Sequence, residues 1–320
     1  MAVTNFLVTS LPDYVQTNRD ILIKSFGLVG DGTRRHIGLQ TGIKKDAYLN
    51  YLDLATVLQD GSDCAFNPLD SITLSQREIE TAAIKVDGQI CPETLLGKYA
   101  EYLVRINATE NDLPFERYIL DMLVAQINKK IEKLIWQGDT SSNDPDLKWI
   151  NGFLAQFAAD SNVVTVSIAS GSSAYEGIQA VYMALPDEAI ERGAVIFAAP
   201  SIYRSFIQDL ISLNYSAYAG PNGTNPDEFL FPGTNVRVVR TPGLAGSLKL
   251  VGTFGDNLVY GCDMENDHED IDLWWSQDDR VFKYQVKWNS GVAYHFPDQV
   301  VVGTFAAAPS ALGICPCKSE

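Results

Sequence analysis

Histidine is scarce, three residues in 320, and the scarcity removes whole classes of chemistry. A nucleophilic triad needs a histidine in suitable company. His36, His268 and His295 have none, because there is no G-x-S-x-G elbow and no cysteine in a recognised nucleophile context. Cysteine is sparse as well. Cys64, Cys91, Cys262, Cys315 and Cys317 are too few and too scattered for a disulfide framework. Cys315-Pro-Cys317 is not a CxxC pair and has no second pair to complete a zinc site, so free thiols are the reading. Basic residues are outnumbered, 24 Lys and Arg against 40 Asp and Glu, for a net charge of −16. Acidity of that size keeps copies soluble and argues against direct binding to a nucleic acid backbone, which needs clustered Lys and Arg. Long apolar runs are missing too. No stretch approaches the ~18–20 residues of a membrane helix, and the first residues carry no basic n-region. The expectation is a soluble protein made in a cytoplasm, with no membrane partner. "GDGT" at 30–33 lacks the Lys-Ser/Thr of a phosphate loop. No catalytic residue and no cofactor is predicted.

What is present is ordinary globular composition, 46% hydrophobic and 20% charged, in a chain long enough for one large domain or two. The first fifty or so residues mix short apolar pieces with Gly, Thr and Asp, without a long period. They read as an extended arm lying on another surface. In "DSITLSQREIETAAIKVDGQIC", residues 70–91, Ile72 and Leu74 alternate with polar neighbours, as do Ile79, Thr81 and Ala83, then Ile84 and Val86. That period predicts a two-stranded projection with little core of its own, marginal unless it packs on a neighbour. "ETLLGKYAEYLVRI", 93–106, is amphipathic. After Pro114 comes the longest helical period, with Ile119, Met122, Leu123, Ile127, Ile131, Leu134 and Ile135 at steps of three and four. Gly138 and Asp139 stop it. About 23 residues make a rod of about 35 Å, which reads as a spine. Its basic cluster "NKKIEK", 128–133, has acids nearby and reads as a solvated face.

From about 172 to 255 the texture is α/β. A helix breaks at Pro186, "AVIFAA" has the form of a buried strand, and "PSIYRSFIQDLI" is a helix with Pro200 in its first turn. "SGSSAYEG", 170–177, reads as a helix N-cap, with an anion at the helix N-terminus as the rival. Later segments alternate like antiparallel sheet, with Asn289-Ser290-Gly291 as a hairpin turn. His295 reads as a satisfied sheet histidine. His36, beside Arg34 and Arg35, is placed at a neighbouring subunit or in solvent. No internal repeat is visible.

"DMENDHEDIDLWWSQDD" packs six carboxylates and His268 into residues 263–272. A calcium loop of the EF-hand kind needs ligands at its positions 1, 3, 5, 7, 9 and 12, with glycine sixth. Asp263, Glu265 and Asp267 satisfy the odd spacing, but His268 takes the glycine position and Trp274 the twelfth. An irregular cation loop on Asp263, Glu265 and Asp267 stays as the alternative. The preferred reading is a solvated acidic connector between two strands.

The order of these pieces resembles a tailed-bacteriophage major capsid protein of the Hong Kong 97-like fold. The arm and alternating segment come first, then the long helix ending in "IWQGDT". The α/β portion with "AVIFAAPSIYRSFIQDL" follows, and then "LVGTFGDNLVYGCD" and "RVFKYQVKWNSGVAYHFPDQVVV". "LPDYVQTNRDILI", "QDGSDCAFNP", "ICPETLLGKYAEYLVRI" and "INKKIEKLIWQGD" are similar to recurring pieces of the capsid proteins of podovirus-like phages of Bacteroidetes hosts. The resemblance covers about 11–302.

It implies an α+β fold with an N-terminal arm (1–60), an E-loop (61–92) and a peripheral domain with the spine helix (93–171). An axial domain (172–262), an acidic connector with the returning strands of the peripheral domain (263–303) and a C-terminal tail (304–320) complete it. The implied function is structural: self-assembly of one chain into pentamers and hexamers of an icosahedral head around double-stranded DNA, located in the virion. Such proteins have no active site, and each subunit makes several heterologous contacts that close into a shell. A separate scaffolding protein (or an already trimmed chain), a portal protein and possible decoration proteins would be partners. Packaged DNA would be held without sequence-specific contact, and an acidic interior would limit its sticking. Lys85 lies in the E-loop segment, but no matching environment for an isopeptide cross-link is readable, so none is predicted. A bridge between Cys64 and Cys91, which bracket that segment, is left open. Two rivals are kept: an encapsulin-like nanocompartment shell, and a metal- or carbohydrate-active α/β enzyme using residues 263–272.

Overall fold

The computed structural model describes residues 33–43, 46–55, 58, 71–90, 115–213, 227–262, 271–279 and 281–309. The first part of the arm, the amphipathic segment 93–106, most of the acidic run (263–270) and the end of the tail lie outside the described residues. So do Cys64, Cys91, Cys315 and Cys317.

Helix α1, Phe115–Gln137, is the expected spine. Its buried positions Ile127, Ile131, Leu134 and Ile135 fall on one face, as the period requires, while Trp136 is buried on the other side of the helix. The helix ends where a second backbone crosses it. A Cβ added at Gly138 would stand 2.5 Å from the Ile150 carbonyl oxygen, and one at Gly152 would stand 2.8 Å from the Gly138 nitrogen. Gly152 N–H donates to the Gly138 carbonyl at 2.9 Å. Only glycine admits that approach. Trp136 is fully buried, its ring 5.3 Å from that of Phe153 and 5.0 Å from that of Phe197, and its Nε1–H donates to Thr33 Oγ1 at 2.9 Å. Thr33 Oγ1 donates in turn to Glu132 Oε2 at 2.8 Å. The spine is thereby tied to a residue 99 positions earlier.

Two sheets share one large core. The first has five strands: β1 Gly38–Gln40, β4 Ala82–Ile90, β10 Leu258–Cys262, β11 Ile271–Ser276 and β12 Val281–Tyr294. The long β12 organises it. β4 pairs along one edge, while β10 and β11 share the other end to end, and β1 adds in parallel to β10. The second sheet has the order β5-β13-β9-β6-β8-β7. Its strands are β5 Val164–Ile168, β6 Ala194–Ala198, β7 Glu228–Leu230, β8 Arg237–Arg240, β9 Lys249–Phe254 and β13 Val301–Phe305.

Helix α2, Phe153–Ala159, packs against α1. Helices α3 (Ala174–Ala184), α4 (Asp187–Glu191) and α5 (Pro200–Ser212) belong to the second sheet. Helix α3 sits low on that sheet because Gly252 and Gly303 leave room for Val181: a Cβ on either would come within 2.9 Å or 2.5 Å of its methyls. The break at Pro186 and the place of Pro200 at the first turn of α5 are as the sequence implies.

A third, two-stranded ladder joins β2 Asp46–Ala55 to β3 Ser71–Glu80. It corrects two expectations. Residues 70–91 do form two strands, but these do not pair with each other: β3 pairs with β2, and β4, one residue later, pairs with β12. The second half of the arm therefore supplies a ladder strand. Alternation marks a strand and the face it buries, but it names no partner. Exposure does alternate through β4, with Ile84 buried between exposed Ala83 and Lys85.

Asn289-Ser290-Gly291 is not a turn. It lies inside β12, with Ser290 opposite Cys262 and Gly291 opposite Gly261. Glycine serves there because a Cβ would stand 2.4 Å from the Glu80 carbonyl oxygen. The returning strands 263–303 also divide between sheets: β11 and β12 enter the first, β13 the second, and β10 joins the first although it precedes the acidic run.

Candidate functional site

The acidic run was the sequence's main candidate, and Asp263, Glu265, Asp267 and His268 lie outside the described residues. Its flanks are clear. β10 ends at Cys262 opposite Ser290, and β11 starts at Ile271 opposite Val286, on the same edge of β12. Trp274 is exposed on β11. Downstream, Asp279 pairs with Lys283 and accepts from Ser276 Oγ at 3.1 Å, which together hold its carboxyl below the usual range. Among the described residues, no three His, Cys, Asp or Glu side chains group as metal ligands.

The segment 170–177 is a capped helix start. Ser173 Oγ accepts from Glu176 N–H at 3.2 Å and Ser173 N–H donates to Glu176 Oε2 at 3.0 Å, a complete capping box. The rival anion reading also has an internal answer. The buried carboxylate of Asp209 on α5 accepts from Tyr175 N–H at 3.1 Å, so the helix N-terminus is served by the chain itself.

His36 is largely withdrawn from solvent within its own chain. Its side chain is 9% exposed, its Nε2 lies 3.2 Å from Glu228 Oε1 on β7, and its ring meets Phe197 edge-on. Burial holds its pKa below the ordinary value. Glu228 pulls it upward, while Arg237 and Arg35 push it further down. His295 follows β12, its backbone N–H bonded to the Asn257 carbonyl at 3.0 Å, and burial lowers its pKa also.

These two histidines face one cleft of about 940 Å³, which also holds Arg35, Arg192, Arg237 and Asp256. Arg192 lies over the rings of Phe254 and Phe296, 5.1 and 5.7 Å from their centroids. The sequence showed only "NKKIEK" as a basic cluster. The arginines of the cleft come from the arm, the turn after α4 and the start of β8, so no local signal could have gathered them.

A second constellation fixes the ladder. Arg77 of β3 reaches Asp160 Oδ2 at 2.8 Å, Tyr294 O–H donates to the same oxygen at 2.9 Å, and the Arg77 guanidinium lies 4.0 Å over the Tyr294 ring. Burial alone would raise the Asp160 carboxyl. Hydrogen bonds from Arg77, the Asn162 N–H and Tyr294 outweigh it and hold the group below its usual range. The Tyr294 phenol is pushed up to about 12, chiefly by burial. Beneath lies a small core of Ile43, Leu49, Ile79, Val259 and Ala293. Lys85, on the exposed side of β4, pairs with Asp87 at 2.8 Å.

No protein-family model matches the sequence, and no curated protein does either. Solved structures do match. The chain is similar to a chain of the satellite phage P4 procapsid that includes the size determination (Sid) protein, with TM-score 0.58, 14% identity, and coverage of 92% of this chain and 100% of that one. It is similar to a chain from Gordonia phage Cozz, with TM-score 0.53, 13% identity and 86% of each chain covered. It is similar also to the virus-like particle from Pyrococcus furiosus, with TM-score 0.51, 11% identity, and coverage of 90% and 98%. The fold is the α+β Hong Kong 97 phage-type major capsid fold.

Proposed function

We propose that the chain is a structural shell subunit, the major capsid protein of a tailed phage, assembling as pentamers and hexamers into an icosahedral head around double-stranded DNA. The observation that carries this is the fold match at full length: 92% of the chain lies on the whole of a procapsid chain. The ladder supports it. Among the described residues β2 and β3 pair only with each other, over a core of five buried residues, and isolated two-stranded ladders are marginal in water unless something packs on them. A neighbouring subunit supplies that packing.

Within this reading, α1 and the β12 sheet form the peripheral domain, and the six-stranded sheet with α3 and α5 forms the axial one. The β2–β3 ladder is the E-loop, with its first strand, Asp46–Ala55, taken from the segment expected to be arm. The similarity of sequence pieces points to podovirus-like phages of Bacteroidetes hosts. Scaffolding, portal and possible decoration proteins would be its partners and the virion its location. The chain acts as an architectural element, not as a catalyst.

Negative-stain microscopy and sedimentation of the purified chain test the reading. Closed shells or ring-shaped capsomers are expected, and a species that stays monomeric at all concentrations would overturn it. A nanocompartment shell would also form particles, but would enclose protein where the proposed head encloses DNA.

A further inference from the structure

On a chain of net charge −16, the cleft between the two sheets concentrates three guanidiniums, Arg35, Arg192 and Arg237, with Asp256 as its lining carboxylate and Glu228, beside His36, as a second at its edge. His36 and His295 add two imidazoles. Arg192 and Arg237 are exposed, and among the described residues neither has a carboxylate partner, whereas Arg77 and Arg240 each have one. At about 940 Å³ the space is far larger than one inorganic anion needs, at the upper end of the roughly 300–1,000 Å³ of small-molecule clefts, and so has room for several side chains. Walls of Phe254 and Phe296 beside the charges suit a peptide bearing carboxylates between apolar side chains.

We infer that this cleft is a socket for an acidic segment of a second copy of the chain, and that the segment is the run around Glu265 and Asp267. The inference rests on the shell reading above. Charge complementarity selects the occupant: residues 263–272 hold the densest carboxylates in the sequence. Reach selects the copy. The cleft opens at the Tyr294 end of β12, beside His295 and Phe296, whereas Ile271 stands opposite Val286. At about 3.3 Å per residue that places Ile271 roughly 26 Å from the cleft end. Asp267 is four residues from Ile271 and spans at most about 14 Å even when fully extended. A chain therefore cannot bring Asp267 to its own cleft, whereas a neighbour can, in the head-to-tail manner by which heterologous contacts close rings.

The experiment is a charge swap in the full chain, read by the protein concentration needed for assembly and its salt dependence. Arg192→Glu with Arg237→Glu, and separately Glu265→Lys with Asp267→Lys, should each raise that concentration about tenfold, and the four changes together should restore it. Mixing an Asn235→Cys variant with a Glu265→Cys variant should give a disulfide-linked heterodimer absent from either variant alone. If the wild type forms shells and the cleft reversal changes neither assembly nor salt dependence, the socket is overturned while the shell reading stands. If the reversal impairs assembly, the swap fails to restore it, no heterodimer forms, and a duplex oligonucleotide binds the wild type but not the reversed cleft, the ligand is phosphate and the inference falls. A wild type that never assembles overturns both.

Discussion

Removing the Arg77 side chain should loosen the β2–β3 ladder at its base without unfolding the body. The guanidinium makes one charge-assisted hydrogen bond to Asp160 and stacks on Tyr294. A hydrogen bond to a charged group contributes about 1.5–3 kcal/mol, and a half-exposed cation–π contact about 0.5–1 kcal/mol. The two side chains are 26% and 17% exposed, between an open surface pair and a sealed one, so the lower part of that range applies. Arg77→Ala should therefore cost roughly 2 kcal/mol, which at 1.36 kcal/mol per tenfold is about 30-fold in a local opening constant. Hydrogen exchange of peptides covering Ser71–Glu80 reads it directly, with α1 peptides as the internal control. A double-mutant cycle with Asp160→Asn isolates the pair. Exchange within threefold of wild type, or a coupling below about 0.5 kcal/mol, would refute the view that this pair sets the ladder.

Three further outcomes are expected. Gly243→Ala would put a Cβ 2.3 Å from the Glu132 carbonyl oxygen and 2.4 Å from Trp136 Cδ1, so the segment Pro242–Leu244 must lift from α1. The cost is about 1–3 kcal/mol, visible as a lower Tm, and an unchanged Tm would contradict it. Ser173→Ala removes one half of the capping box and should destabilise by about 0.5–2 kcal/mol in urea titration, with Ser173→Asp close to wild type. The lowered pKa values of His36 and His295 mean that the unfolded chain binds protons the folded one resists. Their contribution to stability is complete above the unfolded value near 6.5 and is lost as pH falls below it toward the folded values. Tm measured from about pH 8 down to about pH 5.5 should drop, and His36→Gln with His295→Gln should flatten the slope.

What could be read from the sequence was what neighbouring residues determine. The spine helix follows from steps of three and four between Ile127 and Ile135, and its end from Gly138. The capped start at Ser173, the break at Pro186 and the fully buried run Ala194–Ala198 are equally local. What depends on distant residues was not legible. Gly291 follows Asn289 and Ser290 in a run that signals a turn, yet the chain uses it to pass the Glu80 carbonyl, more than two hundred residues earlier. The alternation of 70–91 gave two strands and no hint that Thr81 divides their partners. His36 found Glu228, and the arginines of the cleft met, through the packing of the two sheets.

The switch at Thr81 has a mechanical consequence. β3 and β4 run on from each other with one residue between them, so the ladder continues the line of a strand embedded along nine positions of β12. Three contacts fix the junction: Arg77 on Asp160 and Tyr294, Ile79 in the small core, and the Glu80 carbonyl over Gly291. A ten-residue strand is about 33 Å long, so a tilt of about 5° at that base moves the far end by about 3 Å. Three ångströms separates a well-packed contact from an open one. On the proposed shell reading, the residues that decide where the ladder would meet a neighbour sit at its base. On that reading, changes there should alter assembly geometry more than changes on the exposed faces of the strands.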